Sequence, residues 1–305
     1  MRIIKEKEVE KNINLQKAFE LIEKSYLDYS AGRTVAAVTT SMEVNDGMFY
    51  SFPAFIKGKS FFISKQASDF RNNKKYNLPS VHPYILVFNS KTGILESIIE
   101  GRLFAAVRTS LSSAIGVKHF SKQPKKIAIL GSGVQGEFHA KIFSELFNSI
   151  KEIAVYSPTK SHRDNLVKKL NKTIKRVKVV ASLTAKEAVN NADVVVCATS
   201  SKTPVFEDQD LKKQVLIIGV GAMKNDQEIP TQTIKEAIII VDTEKNIDKY
   251  DELTKPMQEG YKLKIKGEIG RAVLQKIKLN NQKIVFKHHG LPVTDAALAE
   301  TLINK

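Results

Sequence analysis

Apolar residues recur with different periods along this chain, and the period predicts the element. Leu15, Phe19, Ile22 and Tyr26 stand three and four residues apart, the spacing of one helix face, so residues 1–31 read as a helical entry. From residue 35 to 64 the period shortens. Residues 48–52 (Met-Phe-Tyr-Ser-Phe) and 60–63 (Ser-Phe-Phe-Ile) are rich in aromatic and branched side chains and predict strands. A polar loop over 69–80 leads to a strand at 84–88, a turn at 89–93 and a strand at 94–100. Arg108 then opens a helix of small residues over 109–120, which Ser121-Lys122-Gln123-Pro124 breaks.

The next stretch organises the rest. A short apolar strand at 127–130 runs into Gly131-Ser132-Gly133-Val134-Gln135-Gly136, after which Phe138, Ile142, Phe143 and Leu146 recur at helical spacing. Strand, glycine turn and helix in this order form a dinucleotide-binding motif. Gly131 permits the tight turn, Gly133 lets the backbone approach a pyrophosphate, and Gly136 lets the helix pack on the strand. The helix start then offers N–H groups and partial positive charge to the phosphates. Strands at 152–156, 177–181, 193–198, 215–219 and 238–241 alternate with polar or helical segments, the series a doubly wound parallel sheet needs. Such sheets bind ligands at the carboxyl ends of their strands. Those ends carry Ser157, Thr199 and residues 219–222.

A last strand at 283–287 precedes His288-His289-Gly290 and a short helix from Ala296. It has no evident place in the nucleotide sheet and is expected to return to the first domain. The expected architecture is therefore α/β: a Rossmann-type doubly wound sheet over residues 122–279, plus a mixed α+β substrate-binding and dimerisation domain over 1–121 with 280–305.

Composition narrows the class. The chain has 305 residues, 42% hydrophobic and 26% charged, enough for two moderate cores. Its formal net charge of +16 raises the question of nucleic acid. The densest basic cluster, Lys168, Lys169, Lys172, Lys175, Arg176 and Lys178, has no interleaved aromatics and no nucleic-acid motif, so a solvated basic face is expected. Attraction of an anionic substrate and cofactor is a by-product. The single cysteine, Cys197, sits in the run Val194-Val195-Val196-Cys197 and reads as a small buried hydrophobe, consistent with a reducing cytoplasm. No apolar run nears the roughly 18 residues of a membrane span, so no membrane partner is expected. No histidine spacing suggests a metal.

Beyond the glycine turn, further landmarks keep a common order: Lys65, Asn73 with Leu78-Pro79-Ser80, Thr92-Gly93, Arg108-Thr109, Ala192-Asp193 with Thr199 and Pro204-Val205, Gly219-x-Gly221-Ala222 with Glu228, and Gly290 with Asp295. In these, over residues 32–299, the chain resembles the ornithine cyclodeaminase/μ-crystallin family. The resemblance implies a homodimer whose first domain forms a pocket for a small amino, imino or keto acid. A hydride would pass between the α-carbon and the nicotinamide of NAD(P). Lys65 matches the substrate-site lysine and Arg108 the arginine at substrate carboxylate and cofactor, both catalytic, with Asn73 as a further substrate residue. Ser80, Arg108, Thr109, Gly131, Gly133, Val134, Gln135, Ser157, Thr159, Lys160, Thr199, Val220, Gly221, Ala222 and His288 are the expected cofactor residues. A guanidinium can hold a carboxylate through two parallel hydrogen bonds, and a lysine in a dry pocket can carry a proton. By residue type alone Lys65 would be read as exposed. At most one of His288 and His289 is expected to face the cofactor, and a neutral structural role is the default.

The chain departs from the family pattern in two places. Met223 stands where cyclodeaminases carry an aspartate, with Asp226 close by. Thr39 is nearest the place of an arginine that helps bind the substrate carboxylate. Reduction of an imine or oxidation of an amino acid is therefore expected ahead of ornithine cyclisation, and a non-catalytic ligand-binding protein is the alternative from another class. After the strand at 152–156, Ser157-Pro158-Thr159-Lys160 lacks the acid that would bind an unmodified ribose hydroxyl, so NADP(H) is expected ahead of NAD(H).

Overall fold

The computed structural model describes residues 1–37, 39–221, 226–277 and 282–303. It comprises two compact units, Met1–Arg108 with Gly290–Lys305, and Thr109–His289. The first unit opens with β1 (Arg2–Ile4), α1 (Glu6–Asn12) and α2 (Leu15–Ser30), then β2 (Thr34–Ala36), β3 (Thr40–Val44), β4 (Gly47–Ile56), β5 (Phe61–Asp69), β6 (Val81–Asn89) and β7 (Leu95–Glu100). Their sheet runs β1-β7-β6-β5-β4-β2, with β3 also paired to β4. Every pair is antiparallel except β1 with β7. Along β5 burial alternates residue by residue, so Phe61, Ile63, Lys65 and Ala67 face one side and Phe62, Ser64, Gln66 and Ser68 the other.

Helix α3 (Gly101–Phe120) begins earlier than the sequence reading places it. A Cβ on Gly101 would press on the Pro83 backbone, so a glycine lets the helix start directly against β6. Arg108 is consequently mid-helix rather than at a helix start, and the division between the units falls just after it.

The second unit continues with β8 (Lys126–Leu130), α4 (Val134–Leu146), β9 (Glu152–Tyr156), α5 (Lys160–Thr173), β10 (Lys178–Ala181), α6 (Ala185–Val189), β11 (Val194–Cys197) and β12 (Val215–Gly219). It closes with α7 (Thr231–Glu236), β13 (Ile238–Val241), α8 (Asp251–Gln258), β14 (Lys264–Glu268), α9 (Ile269–Leu274) and β15 (Lys283–Lys287). All eight strands are parallel, in the order β10-β9-β8-β11-β12-β15-β13-β14. The expected doubly wound α/β fold is present, and β8 to β13 are the strands read from sequence. Buried on both faces, β8, β11, β12 and β13 are near-continuous apolar runs of mostly Val, Ile, Leu and Ala.

The expectation for residues 283–287 is corrected. β15 lies inside the parallel sheet, paired with β12 on one side and β13 on the other, and does not return to the first unit. Only the helix after it does. That helix, α10 (Pro292–Ile303), packs on α2 and across β4 and β5, and buries Val293, Ala296, Ala297, Leu298 and Leu302. Among the described residues no helix is long and apolar enough to cross a membrane.

Candidate active site

In the first unit, three charged side chains from three elements meet in a buried cluster. Lys65 points inward from β5 because it shares the face of Ile63 and Ala67, and it is only 7% exposed. Arg108, on α3, is 4% exposed, and Asp295, in the first turn of α10, is fully buried. Asp295 joins the other two: Lys65 Nζ donates to its Oδ2 at 2.8 Å and Arg108 Nε to its Oδ1 at 2.9 Å. Pro292 at the helix start and a carboxylate in the first turn both suit a helix N-terminus. Gly290 has φ of +88°, and a Cβ there would occupy the position of the Arg108 guanidinium, so glycine is required for the arginine to lie where it does.

Burial pushes the Lys65 ammonium below its usual range. Asp295 opposes that fall and Arg108 adds to it. Burial alone would raise Asp295, but Arg108 and Lys65 outweigh it and hold its carboxyl below the ordinary value. Asp295 thus stands between two cationic side chains and bonds to both. The Phe52 ring lies across the strand pair from Lys65, its centre 4.7 Å from Nζ. Asp295 is the main residue that the sequence reading leaves without a role. The available signal is a single carboxylate near the start of the otherwise apolar stretch Ala296-Ala297-Leu298-Ala299, since a charge buried there requires a partner.

Asn73 and Ser80 do other work. The Asn73 amide donates to the Pro79 carbonyl at 3.0 Å, and its own carbonyl accepts from Leu78 N–H. The Ser80 carbonyl accepts from Phe70 N–H. These bonds hold the 70–80 segment in shape, and none reaches Lys65.

The second unit carries the glycine turn. Gly131, with φ of +119°, ends β8 at the point where strand order reverses, and a Cβ on it would strike the Ala198 carbonyl at the end of β11. A Cβ on Gly136 would strike the Gly131 carbonyl. A Cβ on Gly133 would meet nothing within 4 Å. Gly131 and Gly136 are therefore glycines because protein fills the space. Gly133 leaves open the N-terminus of α4, whose cap it forms without any side-chain bond. Open backbone at a helix start at the switch point fits the pyrophosphate of a dinucleotide. The Gln135 Oε1 is buried without a hydrogen bond among the described residues, while its backbone carbonyl accepts from His139.

The remaining expected cofactor residues lie at the same strand ends. Ser157 is buried after β9, and its carbonyl accepts from Arg163, itself 5% exposed and turned inward. Thr159 precedes α5 and does not cap it through its hydroxyl. Lys160 is exposed and pairs with Asp164 at 2.8 Å. Thr199 follows β11, and Val220 and Gly221 follow β12. Ala222 and Met223 lie outside the described residues. Thr109 is buried on α3. A cavity of about 590 Å³ lined by Lys118, Lys212, Gln214, Lys276 and Ile284 opens at the amino ends of the strands, opposite to these residues.

His288 is corrected from cofactor residue to core residue. It is fully buried, its ring stacks on Phe286, and its Nε2 meets Ser113 Oγ at 2.9 Å. The protons along this chain can be assigned. His139 is fully buried, which lowers it to about 4, so it is neutral. Its Nδ1 faces the Gln135 carbonyl at 2.7 Å and carries the proton, so its Nε2 accepts from Ser113 at 2.7 Å. Ser113, having given its proton to His139, accepts from His288 Nε2.

The profile of the ornithine cyclodeaminase/mu-crystallin family matches residues 2–305. The chain is 25% identical to a Delta(1)-pyrroline-2-carboxylate reductase of Bacillus cereus, over 100% of this chain and 96% of that one. It is 30% identical to the ketimine reductase mu-crystallin of Macropus fuliginosus, over 92% and 88% respectively. The fold matches the structure of Thermococcus litoralis Delta(1)-pyrroline-2-carboxylate reductase in complex with NADH and L-proline, with a TM-score of 0.93, 24% identity, and coverage of 99% of this chain and 96% of that one.

Proposed function

The chain belongs to the ornithine cyclodeaminase/mu-crystallin family, and we propose that it is an NAD(P)-dependent oxidoreductase interconverting a small α-amino acid and its imine. The observation that carries this reading is the buried Lys65–Asp295–Arg108 cluster, in a chain that also carries an open dinucleotide turn. Residues 109–289 are the dinucleotide-binding unit in this reading, and the first unit binds substrate and dimerises.

Reducing a C=N bond adds a hydride to carbon and a proton to nitrogen. A bound nicotinamide supplies or accepts the hydride. The protein's own residues manage the anion and the proton. Arg108, fixed through Nε by Asp295, is the guanidinium that binds the substrate carboxylate in this reading. Lys65 gives one of its three ammonium hydrogens to Asp295 and offers its proton to the imine nitrogen. Asp295 opposes the fall that burial imposes on the Lys65 ammonium. In the oxidative direction the same lysine takes the proton back.

NADP(H) is the preferred cofactor in this proposal. No acid follows β9 directly, and Lys160 needs only to exchange an exposed ion pair with Asp164 for a phosphate. The test is consumption of NADPH and NADH, followed by loss of nicotinamide absorbance, across cyclic ketimines and keto acids with ammonia. Turnover with at least one imine is expected, with a lower dissociation constant for NADPH. Binding that shifts nicotinamide fluorescence without consumption would replace the enzyme by a binding protein. Asp226, buried and 3.5 Å from where a Gly221 Cβ would stand, is the observation favouring a cyclodeaminase as the second reading. Brisk release of ammonia from ornithine with formation of proline would establish it.

A further inference from the structure

The backbone of Gly221, just past the end of β12, is held from both sides by side chains. Its N–H donates to Glu228 Oε2 at 3.0 Å, and its carbonyl lies 2.9 Å from His289 Nε2. A carbonyl only accepts, so Nε2 is the protonated nitrogen of His289. The other Glu228 oxygen reaches the neighbouring strand end: Oε1 accepts from both the backbone N–H and the hydroxyl of Thr199, at 2.5 and 2.8 Å. One fully buried carboxylate thus ties together the second residues beyond β11 and β12.

Both side chains are themselves held. The Glu228 and Ile229 N–H groups donate to Glu252 Oε1, whose Oε2 takes Lys287 Nζ at 2.7 Å, and Glu252 and Lys287 are almost wholly buried. The His289 ring stands edge-on to Tyr250 at 4.4 Å, and its backbone N–H donates to Asp242. This arrangement also accounts for Gly219-x-Gly221. A Cβ on Gly221 would collide with Glu228 Oε2, and one on Gly219 would come within 2.9 Å of Lys287 Cδ. These two glycines make room for internal charges, whereas Gly133 makes room for a ligand.

We propose that Glu228 and His289 are positioning residues of the dinucleotide site, which hold the Thr199 and Gly221 strand ends in their binding geometry before the cofactor arrives. The inference rests on the dinucleotide reading of this unit. Neither residue touches the cofactor. Each fixes a peptide that does, so the site needs no reordering on binding, and a preset site loses less affinity to ordering. The pair acts from two directions, because Glu228 can take only donors and His289 Nε2 only an acceptor.

Three measurements test this. NADPH binding to the unmodified protein is followed by fluorescence. The same titration is made on Glu228→Gln, which turns an amide NH₂ toward one of three N–H or O–H donors, and on His289→Phe, which keeps the ring against Tyr250 and removes the donor. Hydrogen exchange of the Thr199 and Gly221 amides is measured in the ligand-free proteins. The expected result is a rise of about tenfold or more in the NADPH dissociation constant for each variant, in line with the usual effect of an outlying partner that orients a binding group. The cofactor KM should rise with it, while the substrate KM changes less than about twofold. The two amides should exchange slowly in the unmodified protein and faster in the variants. If Glu228→Gln does not fold, His289→Phe and exchange in the unmodified protein decide. Dissociation constants within about twofold of the unmodified protein, or fast exchange at both amides before substitution, would overturn the proposal and leave the dinucleotide reading standing. No binding of either nicotinamide cofactor by the unmodified protein would overturn both.

Discussion

At Lys65 three influences compete. Burial and Arg108 push its proton off, and Asp295, 2.8 Å away, holds it on. An ammonium so balanced is suited to give up a proton and regain it. Lys65→Met keeps the chain length and removes the carrier, so turnover should fall by about two to four powers of ten, the usual worth of a general acid or base. The NADPH dissociation constant should stay within about twofold, because the dinucleotide turn belongs to other residues. Steady-state kinetics with a fluorescence titration checks both. A second consequence concerns His139, which burial lowers to about 4. Below its ordinary 6.5 the unfolded chain takes up a proton that the folded protein refuses until about 4, so its contribution to stability falls as pH falls through that window. Between pH 7 and 5 the loss is about 2 kcal/mol, at 1.36 kcal/mol per pH unit over most of the interval. Urea unfolding at the two pH values should show that loss, and His139→Asn should show a correspondingly smaller one. Nothing in the sequence singles out His139. Its role comes from Ser110 and Ser113, far away in the chain, and from a carbonyl one helical turn back.

The glycine turn was legible from sequence because strand, turn and helix are adjacent in the chain, although the three glycines turn out to face different things. Gly136 abuts the Gly131 carbonyl, and Gly133 faces open space. Gly136→Ala should therefore lower stability by about 1–3 kcal/mol, the usual cost of overpacking, and weaken NADPH binding as α4 is pushed off β8. Gly133→Ala should cost less than about 1 kcal/mol, the scale of a cap substitution, yet weaken NADPH binding by a similar factor, because its methyl would stand where a pyrophosphate approaches. Urea midpoints read beside NADPH titrations separate the two. Elements whose identity depends on distant chain were harder to read. β15 has a clear strand pattern, but its place between β12 and β13 depends on which edge is open after the intervening helices, and no local period encodes that. β14, Lys-Ile-Lys-Gly-Glu, escapes the sequence reading. It is a polar edge strand with two exposed lysines, which protects an edge and hides the alternation that would announce it. Lys65, Arg108 and Asp295 come from strand, helix and terminal helix. Their meeting was legible only through family resemblance, where Asp295 stood as a landmark without a role.

At the scale of the whole molecule, the antiparallel sheet of the first unit has two unlike faces. One takes α2 and α10 and holds Lys65. The other carries Phe49 and Phe55 of β4, Phe62 of β5, and Tyr84, Leu86 and Phe88 of β6, with Phe62 stacked on Phe88 at 5.0 Å. Tyr84 is 46% exposed and the others are half-buried. Between them Ser51, Ser64 and Gln66 bond to one another, so these three polar groups are satisfied within the sheet. Partly exposed aromatic surface of this kind suits an interface, and a two-fold axis would let one such patch meet its own copy. The protein should therefore sediment as a homodimer at micromolar concentration. Phe62→Lys would set two like charges into a desolvated self-contact, and it should shift the mass toward the monomer while circular dichroism stays unchanged, since residue 62 points away from the core of its own unit. Because β5 carries Phe62 on one face and Lys65 on the other, turnover should fall with the dimer even though no catalytic group is altered. A monomeric mass for the unmodified protein would remove the dimer from the proposal. A monomeric Phe62→Lys with full turnover would keep the dimer and separate it from the chemistry.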